Sequence, residues 1–254
     1  MSDIVVERSG NILSVQLNRP AKKNAMTSSM YITMAELLDG AAKDDQIRVV
    51  LWHGAGDSFS AGNDLEDFMK NPPGPGESPQ ARLMHALINF EKPLVAAVQG
   101  VAIGGGTTML GHCDFVYAGE SAKFQLPFVN LGLVPEFGSS YLLPLRFGYV
   151  RAAELILLGK PFNAVRAAEL GLVTQVVPDQ KLLATATEAA QMLSEKPSRA
   201  LQASKRLLKW SVREQLEQAV KFENEEFSAR VTSDEAKEAF RAFFAKRQPA
   251  FQQQ

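Results

Sequence analysis

Alternating apolar and polar positions open the chain. Ile4-Val5-Val6-Glu7-Arg8 and Ile12-Leu13-Ser14-Val15-Gln16-Leu17 read as two strands joined at Ser9-Gly10-Asn11, a hairpin pattern. Asn18-Arg19-Pro20 closes the second strand, because proline removes a ladder donor. The period then becomes helical: Met30, Ile32, Met34, Leu37, Leu38 and Ala41 predict a helix over 28–43. Val49–His53 and the apolar run Pro93–Val98 predict buried strands, and Asp114–Ala118 and Lys123–Leu126 two short ones. Residues 136–147 and 151–158 read as helices, and Val173–Val177 as a late strand stopped by Pro178. Beyond it no strand pattern returns. Leu182, Ala186, Ala189 and Met192, then Leu201, Leu207, Leu208, Leu216, Val220 and Phe227, mark successive amphipathic helices. The pattern predicts an α/β body over 1–179 and a helical region over 180–254, without a fixed-period repeat or low-complexity tract.

Two stretches interrupt this pattern. Lys70-Asn71-Pro72-Pro73-Gly74-Pro75-Gly76-Glu77-Ser78-Pro79 is too rich in proline and glycine for helix or central strand, so it is a loop: a surface excursion or a lid. Gln99-Gly100-Val101-Ala102-Ile103-Gly104-Gly105-Gly106 follows the Pro93–Val98 strand and precedes a segment with helical character. Successive glycines at such a junction let backbone approach a ligand with no Cβ in the way. Their amides at a helix N-terminus favour negative charge. The stretch therefore predicts an anion or oxyanion site built from main chain.

Composition narrows what that anion is. The 254 residues suffice for one full core, and 46% hydrophobic with 22% charged residues is typical of a folded globular chain. A formal net charge of −1 gives no nucleic-acid footprint. The single cysteine, Cys113, allows no internal disulfide and fits a reducing compartment. No apolar run approaches membrane-spanning length, the first residues lack a signal-peptide layout, and the C-terminal Phe251-Gln252-Gln253-Gln254 is not a peroxisomal tail, so a cytoplasmic location is expected. Phosphate-binding motifs fail: Met109 stands where a dinucleotide fingerprint needs glycine, and Gly106 where a Walker loop from Gly100 needs lysine. Gly56-Asp57-Ser58-Phe59-Ser60 ends in serine where a nucleophile elbow needs glycine. His53, His85 and His112 show no ligand spacing, so no metal is expected.

What survives is a set of ordered motifs: Leu17-Asn18-Arg19-Pro20, Lys23-Asn24-Ala25, Phe59-Ser60-Ala61-Gly62-Asn63-Asp64-Leu65, Val98–Gly106, Phe124–Gly138 and Ala242-Phe243-Phe244-Ala245-Lys246-Arg247. Together they resemble the crotonase, or enoyl-CoA hydratase/isomerase, superfamily over nearly the whole chain. The resemblance implies a crotonase (ClpP-like) α/β fold, a spiral of ββα units with a C-terminal helical trimerisation region. It implies an acyl-CoA substrate whose coenzyme A needs no further cofactor, and a homotrimer or dimer of trimers.

The same resemblance implies roles. The backbone N–H groups of Asn63 and Gly105 would stabilise an enolate oxygen, with Asn63 acting through its main chain so that its side chain could change freely. The two glutamates of the family's hydratases match Thr108 and Phe128 here, and neither can serve as a base. A different carboxylate, Glu136 in Leu133-Val134-Pro135-Glu136-Phe137-Gly138, matches the base of the monofunctional Δ3,Δ2-enoyl-CoA isomerases, notably the peroxisomal type. Read locally, Glu136 is also an ordinary first-turn carboxylate after Pro135, so its surroundings decide between a helix dipole that lowers its pKa and apolar neighbours that raise it. Lys22, Lys23, Ala61, Asp64, Leu65, Phe243 and Lys246 match positions expected to bind CoA, the last two from a neighbouring subunit in some members. Rival readings are another acyl-CoA activity of the superfamily (hydratase, thioester hydrolase, decarboxylase) and a non-catalytic CoA- or RNA-binding homologue.

Overall fold

A computed structural model describes residues 2–71 and 78–251; residues 72–77 of the proline-rich loop lie outside the described residues, and with them the choice between excursion and lid. Strands β1 (Ile4–Ser9) and β2 (Ile12–Leu17) form the expected antiparallel hairpin. Parallel strands β3 (Val49–Gly54), β4 (Leu94–Val98), β6 (Phe115–Gly119) and β9 (Gln175–Val177) complete a six-stranded sheet in the order β1-β2-β3-β4-β6-β9. A smaller sheet joins β5 (Val101–Ile103), β7 (Lys123–Gln125) and β8 (Phe162–Asn163).

Burial on both faces explains why the central strands read as continuous apolar runs. On β3 and β4, Val50, Trp52, Leu94 and Ala96 turn into the main core, beneath α1 (Ser28–Lys43) and α3 (Pro79–Asn89). Val49, Leu51, Val95 and Ala97 turn to the other face, which α8 (Leu182–Ser194) covers with Leu182, Ala186 and Ala190. Helix α8 thus belongs to the sheet although it lies beyond residue 180. Helices α9 (Ser198–Trp210), α10 (Arg213–Val231) and α11 (Asp234–Phe244) complete the strand-free C-terminal region. No helix among the described residues is long and apolar enough to cross a membrane.

Two local differences shape the site. The glycine stretch does not pass straight from strand to helix: β5 intervenes, and α4 (Gly105–Thr108) is a single turn. The helix expected from residue 136 begins later, as α5 (Ser139–Phe147). Phe137 and Gly138 have φ of +59° and +67°, left-handed values that an α-helix excludes. Glu136 therefore stands in a loop, not in a helical first turn. The remaining short helices are α2 (Leu65–Lys70), α6 (Tyr149–Leu158) and α7 (Ala164–Glu169).

Candidate active site

The chain segments that leave β3 and β4 are sewn together by main-chain bonds: Ser60 N–H donates to Val101 C=O at 3.0 Å and Ile103 N–H to Ser60 C=O at 3.0 Å. Asn24, fully buried, fastens the neighbouring turn by donating to Ala55 and Ser58 carbonyls at 2.8 and 2.7 Å. Gly62 adopts φ +85°, and a Cβ there would sit 2.5 Å from Ile103 O. Only glycine lets the two segments approach this closely. The approach brings the Asn63 and Gly105 amides to the rim of one cavity. Among the described residues neither N–H donates to a protein acceptor. Two convergent free donors are the means of stabilising an oxyanion.

Glu136 meets this pair from the loop before α5. Its Oε1 lies 2.9 Å from where a Gly105 Cβ would be, with Tyr31 Oη at 3.1 Å from the same point. Tyr31 donates to Asn63 Oδ1 at 2.7 Å, and Asn63 Nδ2 donates to Glu136 Oε1 at 3.2 Å. The side chain of Asn63 is thus occupied on the carboxyl of Glu136, which corrects the expectation that it could change freely. The opposing influences on Glu136 resolve toward burial. Desolvation and then the negative charge of Glu223 raise its pKa from 4.5 to about 8, against a smaller lowering by Asn63. Tyr31, buried beside it, has its own pKa pushed up and so remains a donor.

The cavity holds about 430 Å³. Ala61, Asn63, Asp64, Leu65, Gly105, Glu136 and Phe243 line it, so most of the expected residues are brought together. Lys22 lines it too, paired with Glu66 at 3.3 Å, whereas Lys23 and Lys246 are exposed and outside its lining. Phe243 lines the cavity of its own chain, next to Phe244. The carboxylate of Asp64 faces inward to the protein: it accepts from Arg19 at 2.9 Å and from the Glu66 and Asp67 amides as the cap of α2. Burial opposes its ionisation, but these bonds outweigh it and hold its pKa below the usual range. Sequence reasoning missed Tyr31, and it missed Phe68 and Phe227, an edge-to-face pair 5.7 Å apart that lines the same cavity. Tyr31 lies within the predicted helix α1 but outside its periodic apolar positions, and is buried there. Thr108 is buried, with its hydroxyl on the Gly104 and Gly105 carbonyls, and Phe128 is an apolar wall.

Comparison with known proteins finds relatives that span nearly the whole chain. A model of the enoyl-CoA hydratase/isomerase family matches residues 7–254. Enoyl-CoA hydratase EchA19 of Mycobacterium tuberculosis is 38% identical, over 98% of this chain and 96% of its own. Enoyl-CoA delta isomerase 2 of Rattus norvegicus is 35% identical over 96% of this chain, which spans 64% of that longer protein. The crystal structure of an enoyl-CoA hydratase/isomerase from Pseudoalteromonas atlantica superposes with a TM-score of 0.94 and 41% identity, covering 99% of this chain and 100% of the other.

Proposed function

The chain belongs to the enoyl-CoA hydratase/isomerase (crotonase) family, and on that premise we propose that it isomerises a 3-enoyl-CoA to the trans-2-enoyl-CoA. The thioester oxygen accepts from the Asn63 and Gly105 amides. Ionised Glu136 removes a proton from C2, and the released electron pair moves onto that oxygen as a dienolate. The protonated carboxyl then returns the proton to C4, so C3=C4 becomes C2=C3 and no water is consumed. Lys22, with Lys23 and Lys246 farther out, supplies cations for the CoA phosphates. The expected trimer finds support in Leu207, Leu208 and Trp210, apolar side chains left exposed on α9. Light scattering after gel filtration tests it.

One observation carries the reading. Glu136 stands buried beside Gly105 with no cation paired to it among the described residues, while the two positions that hold hydratase glutamates hold Thr108 and Phe128. The other lining carboxylates, Asp64 and Glu66, are engaged by Arg19 and Lys22. The isomerase relative at 35% identity adds support, although the hydratase relative at 38% is as similar. The test assays wild type and Glu136→Gln on 3-hexenoyl-CoA and on crotonyl-CoA. Isomerisation lost in the variant and slow hydration in both are expected. A variant with near-wild-type isomerisation, or a wild type that chiefly hydrates crotonyl-CoA, overturns the reading.

A further inference from the structure

The loop that carries Glu136 has no regular structure from Leu133 to Glu136, so its geometry depends on what holds it. His112 does so from one side. A carbonyl only accepts, so its Nε2–H donates to Phe137 C=O at 2.8 Å. Glu223 of α10 holds the other side. One carboxylate oxygen accepts from Gly138 N–H at 2.6 Å and the other from Ser140 N–H at 2.7 Å. Helix α5 has no side-chain cap of its own, so Glu223 caps it from a distant element. Helix α10 presses close: a Cβ on Gly138 would lie 2.2 Å from Leu216 Cδ1. Glu223 is buried, and among the described residues no cation pairs with it. Burying a bare carboxylate is costly unless hydrogen bonds compensate, and here the Ser140 side chain and the Ser140 and Gly138 amides do so.

We propose that Glu223 is a positioning residue of the reaction: by gripping Gly138 and Ser140 it fixes where Glu136 stands over Gly105. The proposal rests on Glu136 being the base. A passive helix cap would act on stability alone. Glu223 also acts on the base through its charge, the second cause after burial of the high proton affinity of Glu136. Among the described residues, the polar groups shown to act on Glu136 are Tyr31 from α1, Asn63 from the β3–α2 loop and Glu223 from α10. Glu223 itself has its pKa raised by burial, partly offset by the bonds from Ser140 and Gly138.

The experiment compares the full chain as wild type, Glu136→Gln, Glu223→Gln and Glu223→Asp. It reads kcat and KM for 3-hexenoyl-CoA against pH, and titrates the Glu136 carboxyl by carbon NMR. In Glu223→Gln, with the charge gone and one acceptor lost, the acid limb of kcat/KM and the Glu136 titration both move down by about one pH unit. Plateau kcat falls about tenfold to a hundredfold, the scale of a displaced catalytic group, with KM little changed. Glu223→Asp keeps the charge but not the reach, so its limb stays while its plateau falls. An unmoved limb and titration in Glu223→Gln, or a wild-type plateau in Glu223→Asp, overturns the proposal. Should Glu223→Gln not fold, the plateau of Glu223→Asp decides. Should Glu136→Gln stay active, the base assignment fails, and the NMR titration still reads whether Glu223 acts on Glu136.

Discussion

Two cavities of comparable size hold perturbed titratable groups, and they differ in what those groups point at. The larger, about 520 Å³, lies between the β6 region and helices α9 and α10, against His112, Cys113, Lys205 and Lys209. Burial, then the charge of Lys209, pushes His112 down to about 3, and burial with Asp114 pushes Cys113 up to about 12. Both are held neutral and inert. Lys205 is spent on Lys92 C=O at 2.7 Å and Asp114 at 2.6 Å, and Arg146 on Gly111 C=O at 2.6 Å. In the 430 Å³ cavity the Asn63 and Gly105 amides and the Glu136 carboxyl line the void instead. Two main-chain donors have no protein acceptor among the described residues, and a carboxyl moved to about 8 exchanges protons near neutral pH. Volume and shifted pKa values alone do not mark a candidate site; free donors beside a carboxyl of raised proton affinity do.

Mutations should separate the two cavities in steps of decreasing size. Glu136→Gln should lower kcat on 3-hexenoyl-CoA about a thousandfold, the scale of a general base. Gly105→Ala comes next. Its methyl would meet Glu136 Oε1 and Tyr31 Oη at 2.9 and 3.1 Å, so a fall of about a hundredfold in kcat is expected from steady-state kinetics. Asn63→Ala should remove a bond that lowers the Glu136 pKa, moving the acid limb of kcat/KM upward and costing about tenfold at neutral pH.

Stability sharpens the contrast further. Glu136 binds its proton more tightly folded, at about 8, than at its ordinary value of 4.5. Between these values the unfolded chain is the more ionised, so the contribution of Glu136 to stability is fully present below about 4.5 and lost as pH rises toward 8. The melting temperature of wild type relative to Glu136→Gln should therefore fall across that window. Cys113→Ala, in the larger cavity, should give the smallest effect: kcat/KM within about twofold and a stability loss of about 1 kcal/mol from the missing half-buried sulfur.

Much of the fold was legible because its signals are local. Helix α1 occupies the predicted 28–43, with Thr27 capping it and Met30, Met34 and Leu38 buried at helical spacing. Helix α3 carries equally local signals, Ser78 as cap, Pro79 at the first position and Leu83, Met84 and Leu87 inward, which the loop composition before it obscures. The late start of α5 depends on Phe137 taking a left-handed backbone. Short-range pattern does not announce that in a phenylalanine. Its carbonyl is instead engaged by His112 from another part of the chain.

The candidate site divides in the same way. The glycines at 62 and 105 are visible in the sequence, because close approach of backbones requires a residue without a Cβ. The identity of residues 108, 128 and 136 is equally visible, and of the three only Glu136 carries a carboxylate. What Glu136 can do is not written near Glu136. Its proton affinity is raised by enclosure and by Glu223 on α10, and lowered by Asn63, which Tyr31 on α1 holds. The sequence by itself determined which groups are present and where backbone must come close. Only the tertiary structure decided their charge and aim, because desolvation and Coulomb interactions depend on distance in space and not on position along the chain.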